Sequence, residues 1–151
     1  MKRIYLDHNA TTPVHPEVKE AMLPYYEEWF GNASSVHSYG REAREAIDVA
    51  REQVAELIGA SSPTEIVFTS GGTESDNHAI KGTAYSKMGG KGSDFSRNSA
   101  SRNKNIIISP IEHHAVENTC EYLEKKGFEV THLKVDKYGV INLQSLEDSI
   151  K

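Results

Sequence analysis

The chain has 151 residues, about one domain, which is long enough to bury a core. With 22 acidic against 17 basic residues its formal net charge is −5, which excludes a general nucleic-acid footprint. No apolar run approaches the ~20 residues that span a bilayer, and the start lacks the apolar stretch of a signal peptide.

The single cysteine, Cys120, excludes a disulfide framework and a Cys-rich zinc site, so a reducing, cytoplasmic setting is expected. Residues 16–30 read as a first helix, with Pro16 at its start and an interruption at Pro24. Gly31 to Tyr39 is a Ser-rich loop. From Arg41 to Ile58, apolar residues Ala43, Ala46, Ile47, Ala50, Val54, Leu57 and Ile58 recur at three and four, and Gly59 is a natural stop. Glu65 to Thr69 is β-branched and aromatic and reads as a strand, and a helix follows from about Thr73 to Met88.

Residues 86–104 have no period. Their basic residues Lys87, Lys91, Arg97, Arg102 and Lys104 face one acid, Asp94, which suits a solvated, disordered surface insertion. A basic tether for a partner or an RNA is the sharper reading, but Phe95 is its only aromatic. Asn105 to Ser109 is a buried-type strand, His113 to Lys126 a helix stopped by Gly127, and Phe128 to Leu133 another strand. Val140-Ile141 is a short extended piece, and a last helix starts at Leu143 behind the N-cap Asn142. This alternation predicts an α/β fold with a mostly parallel sheet flanked by helices.

The most informative stretch is Ile66 to Asn77, a strand running into Ser70-Gly71-Gly72 and then a helix. In open α/β sheets ligands sit beyond the carboxyl ends of strands. The unpaired N–H groups of a helix's first turn suit an anion, Gly71 and Gly72 let the backbone approach it, and Thr73 adds a hydroxyl. A phosphate fits. The pattern is not a P-loop, and a simple N-cap by Thr73 or Ser70 explains the spacing equally well. Ser109 to Ala115 follows the next strand and lies on the same sheet edge, where an imidazole could stack on a flat heteroaromatic ring. His113 and His114 are adjacent, so on a helix they point about 100° apart and do not suggest a metal site. The bland role of such a histidine is capping or core hydrogen bonding.

Four segments carry a resemblance: Tyr5 to Pro13 (Y-L-D-H-N-A-T-T-P), Phe30 to His37 (F-G-N-A-S-S-V-H), Thr69 to Asn77 (T-S-G-G-T-E-S-D-N) and Glu112 to Val116 (E-H-H-A-V). In order and spacing they resemble the NifS/IscS-type cysteine desulfurases, class-V aminotransferase-like enzymes of the type I pyridoxal-phosphate fold. The resemblance covers nearly the whole chain except residues 86–104. It implies that Gly72 and Thr73 contact the phosphate of pyridoxal 5′-phosphate and that His113 stacks on its pyridine ring. It implies the conversion of L-cysteine to L-alanine with transfer of persulfide sulfur to an acceptor or iron–sulfur scaffold protein, in a homodimer. It also implies that residues 1–15 join the small-domain side and 16–151 form the N-terminal part of the large, cofactor-binding domain, with the Asn32 to His37 loop near the active site.

The departures set limits. The family is about two and a half times this length, and its Schiff-base lysine, the aspartate that pairs with the pyridine nitrogen and its persulfide cysteine lie beyond residue 151. The Ser/His-His-Lys context of that lysine does not occur here, and neither Lys81 nor Lys134 substitutes for it. Cys120 falls on the apolar side of a helix and reads as a small core residue. Ala33 stands where the family usually has proline. The expectation is therefore an N-terminal fragment of a desulfurase with no catalytic residue of its own; the alternative is a non-catalytic scaffold or dimerisation partner that keeps the same fold.

Overall fold

The computed structural model describes residues 3–87 and 104–150. The insertion expected at 86–104 lies, but for its ends, outside the described residues. The chain divides into two compact units, Met1–Val67 and Phe68–Lys151. Among the described residues no helix is long and apolar enough to cross a membrane.

In the first unit the expected helix over 16–30 is split in two. α1 spans Pro16–Met22 and α2 spans Pro24–Glu27, each with its proline at the first helical position, where the missing N–H costs nothing. The Glu28 and Trp29 N–H groups both donate to the Pro24 carbonyl, which closes α2 before Phe30.

α3 spans Ser38–Ile58 and begins three residues before Arg41. Its N-cap is His37, whose Nδ1 accepts from the Gly40 N–H at 3.4 Å. At the other end Gly59 takes a left-handed φ of 70° and closes the helix as its position predicts. The apolar stripe is only partly covered. Of its members Ala43 is buried, whereas Leu57 is 85% and Ile58 65% exposed.

The strand expected at Glu65 to Thr69 is not formed. Pro63–Glu65 is a 3₁₀ turn capped by Ser62, and 66–69 follow without ladder pairing. Ile66 has strand-like angles (φ −92°, ψ 124°), but its carbonyl accepts from the Arg51 guanidinium, and an extended segment is a strand only beside a partner.

The second unit starts with α4, Gly72–Lys87. Strands β1 (Asn105–Ile108) and β2 (Glu129–His132) pair in parallel, Asn105 with Glu129 through Ile108 with His132. α5, His114–Glu124, is the crossover between them. It buries Ala115, Thr119, Cys120 and Leu123, one face at three- and four-residue spacing, in agreement with the sequence pattern. Ile108, Phe128 and Leu133 complete this core. The Thr119 hydroxyl donates to the Ala115 carbonyl at 2.7 Å, so its polar atom is satisfied. Val135 and Ile141 form an isolated antiparallel bridge around a turn in which Asp136 Oδ1 accepts from the Tyr138 and Val140 N–H groups. α6, Leu143–Ser149, is capped by Asn142, whose Oδ1 accepts from the Ser145 N–H at 2.9 Å.

α4 packs on α5 through aromatic and cationic side chains. Lys81 Nζ sits 4.7 Å over the Tyr122 ring, the Tyr85 and Tyr122 hydroxyls share a hydrogen bond, and Tyr85 meets Phe128 edge-on at 6.2 Å. Burial, and then the bond to Tyr122, push the Tyr85 phenol up to about 12. The folded state thus prefers the neutral phenol more strongly than the unfolded chain, where it ionises near ~10. This contribution is intact below pH ~10 and is lost as pH rises towards about 12. Tyr85→Phe is expected to flatten the alkaline fall in stability over that window, followed as melting temperature against pH. An unchanged alkaline slope would reject Tyr85 as its source.

Candidate functional site

The turn into α4 is built from short local bonds. The Gly71 carbonyl accepts from the Ser75 N–H at 3.1 Å, the first bond of the helix. The Thr69 and Ser75 hydroxyls lie 2.6 Å apart. Glu74 Oε2 accepts from both the Ser70 N–H (2.7 Å) and the Ser70 hydroxyl (2.6 Å), and these bonds hold the Glu74 carboxyl below its usual range. One turn on, Asn77 Nδ2 donates to the Thr73 carbonyl at 2.9 Å and Lys81 Nζ donates to Asn77 Oδ1 at 2.6 Å.

The N–H groups of Gly72, Thr73 and Glu74 remain. Among the described residues no backbone or side-chain acceptor takes them, and all three residues are exposed. They carry the positive end of a helix of 16 residues.

The two glycines bear on what these donors are for. A Cβ at Gly71 or Gly72 would meet nothing within 4 Å, and neither residue has a left-handed φ. Neither internal packing nor backbone conformation therefore calls for glycine at these positions. By contrast, a Cβ at Gly31 would lie 2.2 Å from the Tyr39 carbonyl oxygen. Three unpaired donors beside two uncrowded glycines form an arrangement able to take an anion such as a phosphate.

His113 is the N-cap of α5. Its Nδ1 accepts from the Ala115 N–H at 3.1 Å, so Nδ1 is unprotonated and the proton of the neutral ring sits on Nε2. The capping role weighed from the sequence is thus the observed one, and it also fixes the ring's orientation. His113 and His114 rings are 6.0 Å apart and tilted by 52°, and both residues are exposed.

Thr73 and His113 belong to the same unit. Thr73 lies in the first turn of α4 and His113 caps the first turn of α5, which follows the carboxyl end of β1; no strand precedes α4, because residues 66–69 are unpaired in any ladder.

Cys120 is 1% exposed, and burial, with Glu117 and Glu112 nearby, pushes its thiol up. It is a core side chain rather than a nucleophile. Among the described residues no group of three His, Cys, Asp or Glu side chains could hold a metal ion. Sequence reasoning did not find the Glu74–Ser70 latch or the 2.9 Å pair between His132 Nε2 and Glu117 Oε1. The latch had a signal, a glutamate at the third position of a helix, where carboxylates reach back to the preceding turn. The His132 pair depends on the register of β2 against α5 and has no local signal.

In the first unit the Phe30–His37 loop is held from α3. Arg44 Nε donates to the Ala33 carbonyl (3.1 Å) and Arg41 Nη1 to the Val36 carbonyl (2.7 Å). In the N-terminal segment the Tyr5 and Thr11 hydroxyls lie 2.8 Å apart.

Comparisons agree on what this chain is similar to. It is 49% identical over 150 residues to the cysteine desulfurase IscS of Methanosarcina thermophila, covering 99% of this chain and 34% of that protein. It is 47% identical over 151 residues to the putative cysteine desulfurase IscS 1 of Bacillus subtilis (strain 168), covering 100% of this chain and 36% of that protein. The chain thus spans about a third of the length of the curated relatives it matches. Among solved structures, a NifS-like protein superposes with a TM-score of 0.83 at 42% identity, covering 99% of this chain and 37% of that one. A structure described as SspA in complex with cysteine gives a TM-score of 0.77 at 41% identity, covering 97% and 39%. The helices and small parallel sheet are part of the α/β type I pyridoxal-phosphate fold these proteins share. The model of the class-V aminotransferases matches residues 4–151, and the chain belongs to that family.

Proposed function

We propose that this chain forms the cofactor-phosphate part of a pyridoxal-phosphate-dependent cysteine desulfurase. The observation that carries the reading is the set of three unpaired N–H groups at the start of α4, behind two glycines that nothing in the protein crowds. In this reading the Gly72 and Thr73 N–H groups and the Thr73 hydroxyl hold the phosphate, and a face of the His113 ring lies against the pyridine. The cap on Nδ1 keeps that ring from rotating and leaves Nε2–H as its donor.

Bound pyridoxal 5′-phosphate supplies an electron sink for bonds at the α-carbon of an amino acid. What the chain's own residues do is bind and orient: the helix start neutralises the phosphate, and His113 sets the plane of the ring. L-Cysteine is the proposed substrate, which the relative solved with cysteine supports. A homodimer, a sulfur-acceptor or iron–sulfur scaffold protein as partner, and a cytoplasmic setting belong to the same proposal. So does the division into a segment 1–15 on the small-domain side and 16–151 in the large domain. No Ser/His-His-Lys context occurs in the 151 residues, so no lysine is assigned the covalent role.

Two measurements test the reading. Equilibrium titration should show pyridoxal 5′-phosphate binding at least roughly tenfold tighter than pyridoxal, as expected when charge-assisted bonds to a phosphate are added. Incubation of this chain with L-cysteine, pyridoxal 5′-phosphate and a reductant should release no sulfide above a protein-free blank. Equal affinity for the two aldehydes would refute the phosphate site, and clear turnover would refute the assignment of the covalent and nucleophilic groups elsewhere.

A further inference from the structure

We propose that Glu74 is a positioning residue for the phosphate cradle, acting through Ser70 rather than touching the ligand. The proposal rests on the phosphate reading above. A carboxylate at the third position of a helix is itself a ready occupant for free first-turn N–H groups, and it would repel a phosphate placed there. Here one oxygen of Glu74 is instead committed to two donors on Ser70, four residues earlier in the turn before α4, the Ser70 N–H at 2.7 Å and the Ser70 hydroxyl at 2.6 Å.

This has two consequences for the cradle. The negative charge is drawn back from the N–H groups of Gly72, Thr73 and Glu74, which stay without an acceptor among the described residues. The bend at Ser70-Gly71 is also tied to the first turn of α4. Gly71 has no side chain to stiffen it, and a Cβ there would find no neighbour within 4 Å. A second tie repeats the device, since Thr69 Oγ1 meets Ser75 Oγ at 2.6 Å and donates to the Gly71 carbonyl at 3.1 Å. The flexible glycines are thus held from both sides by residues that do not occupy the donors. Preorganised donors lose less on binding than donors that must first be ordered.

The experiment compares the unaltered chain with Glu74→Ala, Glu74→Gln and Ser70→Ala, titrating each with pyridoxal 5′-phosphate and with pyridoxal, alongside thermal melts. Glu74→Ala should lower affinity for pyridoxal 5′-phosphate roughly tenfold, the size of a lost charge-assisted bond, while pyridoxal binding is unchanged. Glu74→Gln keeps an oxygen that accepts from Ser70 and should stay within about threefold of the unaltered chain, because only the charge is removed. Ser70→Ala deletes one of the two donors and should fall between them; it carries the test if Glu74→Ala does not fold. A residue that merely caps the helix would lower the melting temperature and leave the ratio of the two affinities untouched. That result, or Glu74→Gln losing as much as Glu74→Ala, overturns the positioning role while the phosphate site stands. If the unaltered chain does not distinguish the two aldehydes, the phosphate reading fails and this proposal fails with it.

Discussion

Leu123→Ala is expected to destabilise the second unit by about 2–5 kcal/mol, the range for emptying a well-packed leucine site. Leu123 is 0% exposed and Cys120, one turn before it, is 1% exposed. The surrounding core is small, with Ile108 from β1, Phe128 just before β2, and Leu133 just after β2 also buried. A site this short of neighbours has little with which to collapse around the cavity, which favours the upper part of the range. The main-chain bond from the Phe128 N–H to the carbonyl of residue 123 (3.1 Å), which carries the chain from α5 into β2, survives the substitution, so the loss reads side-chain packing alone. Loosening α5 should reach the candidate site as well, since the first turn of α5 is what fixes the His113 ring. Denaturant unfolding of Leu123→Ala beside Leu57→Ala separates the cases. Leu57, 85% exposed, should change stability by no more than about 0.5 kcal/mol. Equal losses in the two variants would mean that α5 does not seat its apolar face in the core of the second unit.

The contrast between those two leucines also marks what the sequence could reveal. Both stand at regular spacing on an amphipathic stripe, and the period correctly identifies α3 and α5. Periodicity tells which face of a helix is apolar, but not what covers that face. The α5 face is buried, beside α4 and β2; in α3 the end of the stripe, Leu57 and Ile58, stays exposed. The same limit explains residues 66–69. Their composition is that of a strand, yet a strand is a property of a pair, and the Ile66 carbonyl is taken by Arg51. Short-range chemistry was legible: Gly59 in the left-handed region, Asn142 as a cap, and the break at Pro24 follow from single residues and their immediate neighbours. At the candidate site the glycine turn and His113 were legible as types. The latch of Glu74 onto Ser70 was not, because a carboxylate in a first turn can serve the dipole, the cap or the solvent, and only the geometry decides.

The helical glycines of α3 and α4 give predictions of opposite sign. Alanine is favoured over glycine within a helix by about 1 kcal/mol, so in the absence of contacts either substitution should stabilise. At Gly82 in α4 a Cβ meets nothing within 4 Å, and Gly82→Ala is expected to gain about 0.5–1 kcal/mol. At Gly40, in the first turn of α3, a Cβ would lie 2.2 Å from the Ser35 carbonyl oxygen and 2.7 Å from that of Asn32. Both are backbone atoms of the loop that Arg44 and Arg41 tie to the helix through the Ala33 and Val36 carbonyls. No side-chain rotation can relieve the clash. Either the loop moves away and loses those bonds together with the His37 cap on the Gly40 N–H, or α3 starts later. Overpacking of this kind costs about 1–3 kcal/mol and outweighs the propensity gain. Gly40→Ala should therefore lower the melting temperature and make the 31–37 loop more open to limited proteolysis, while Gly82→Ala raises it. A stabilised Gly40→Ala would show that the Asn32–His37 loop does not rest on the start of α3, and the close approach that requires glycine there would be disproved.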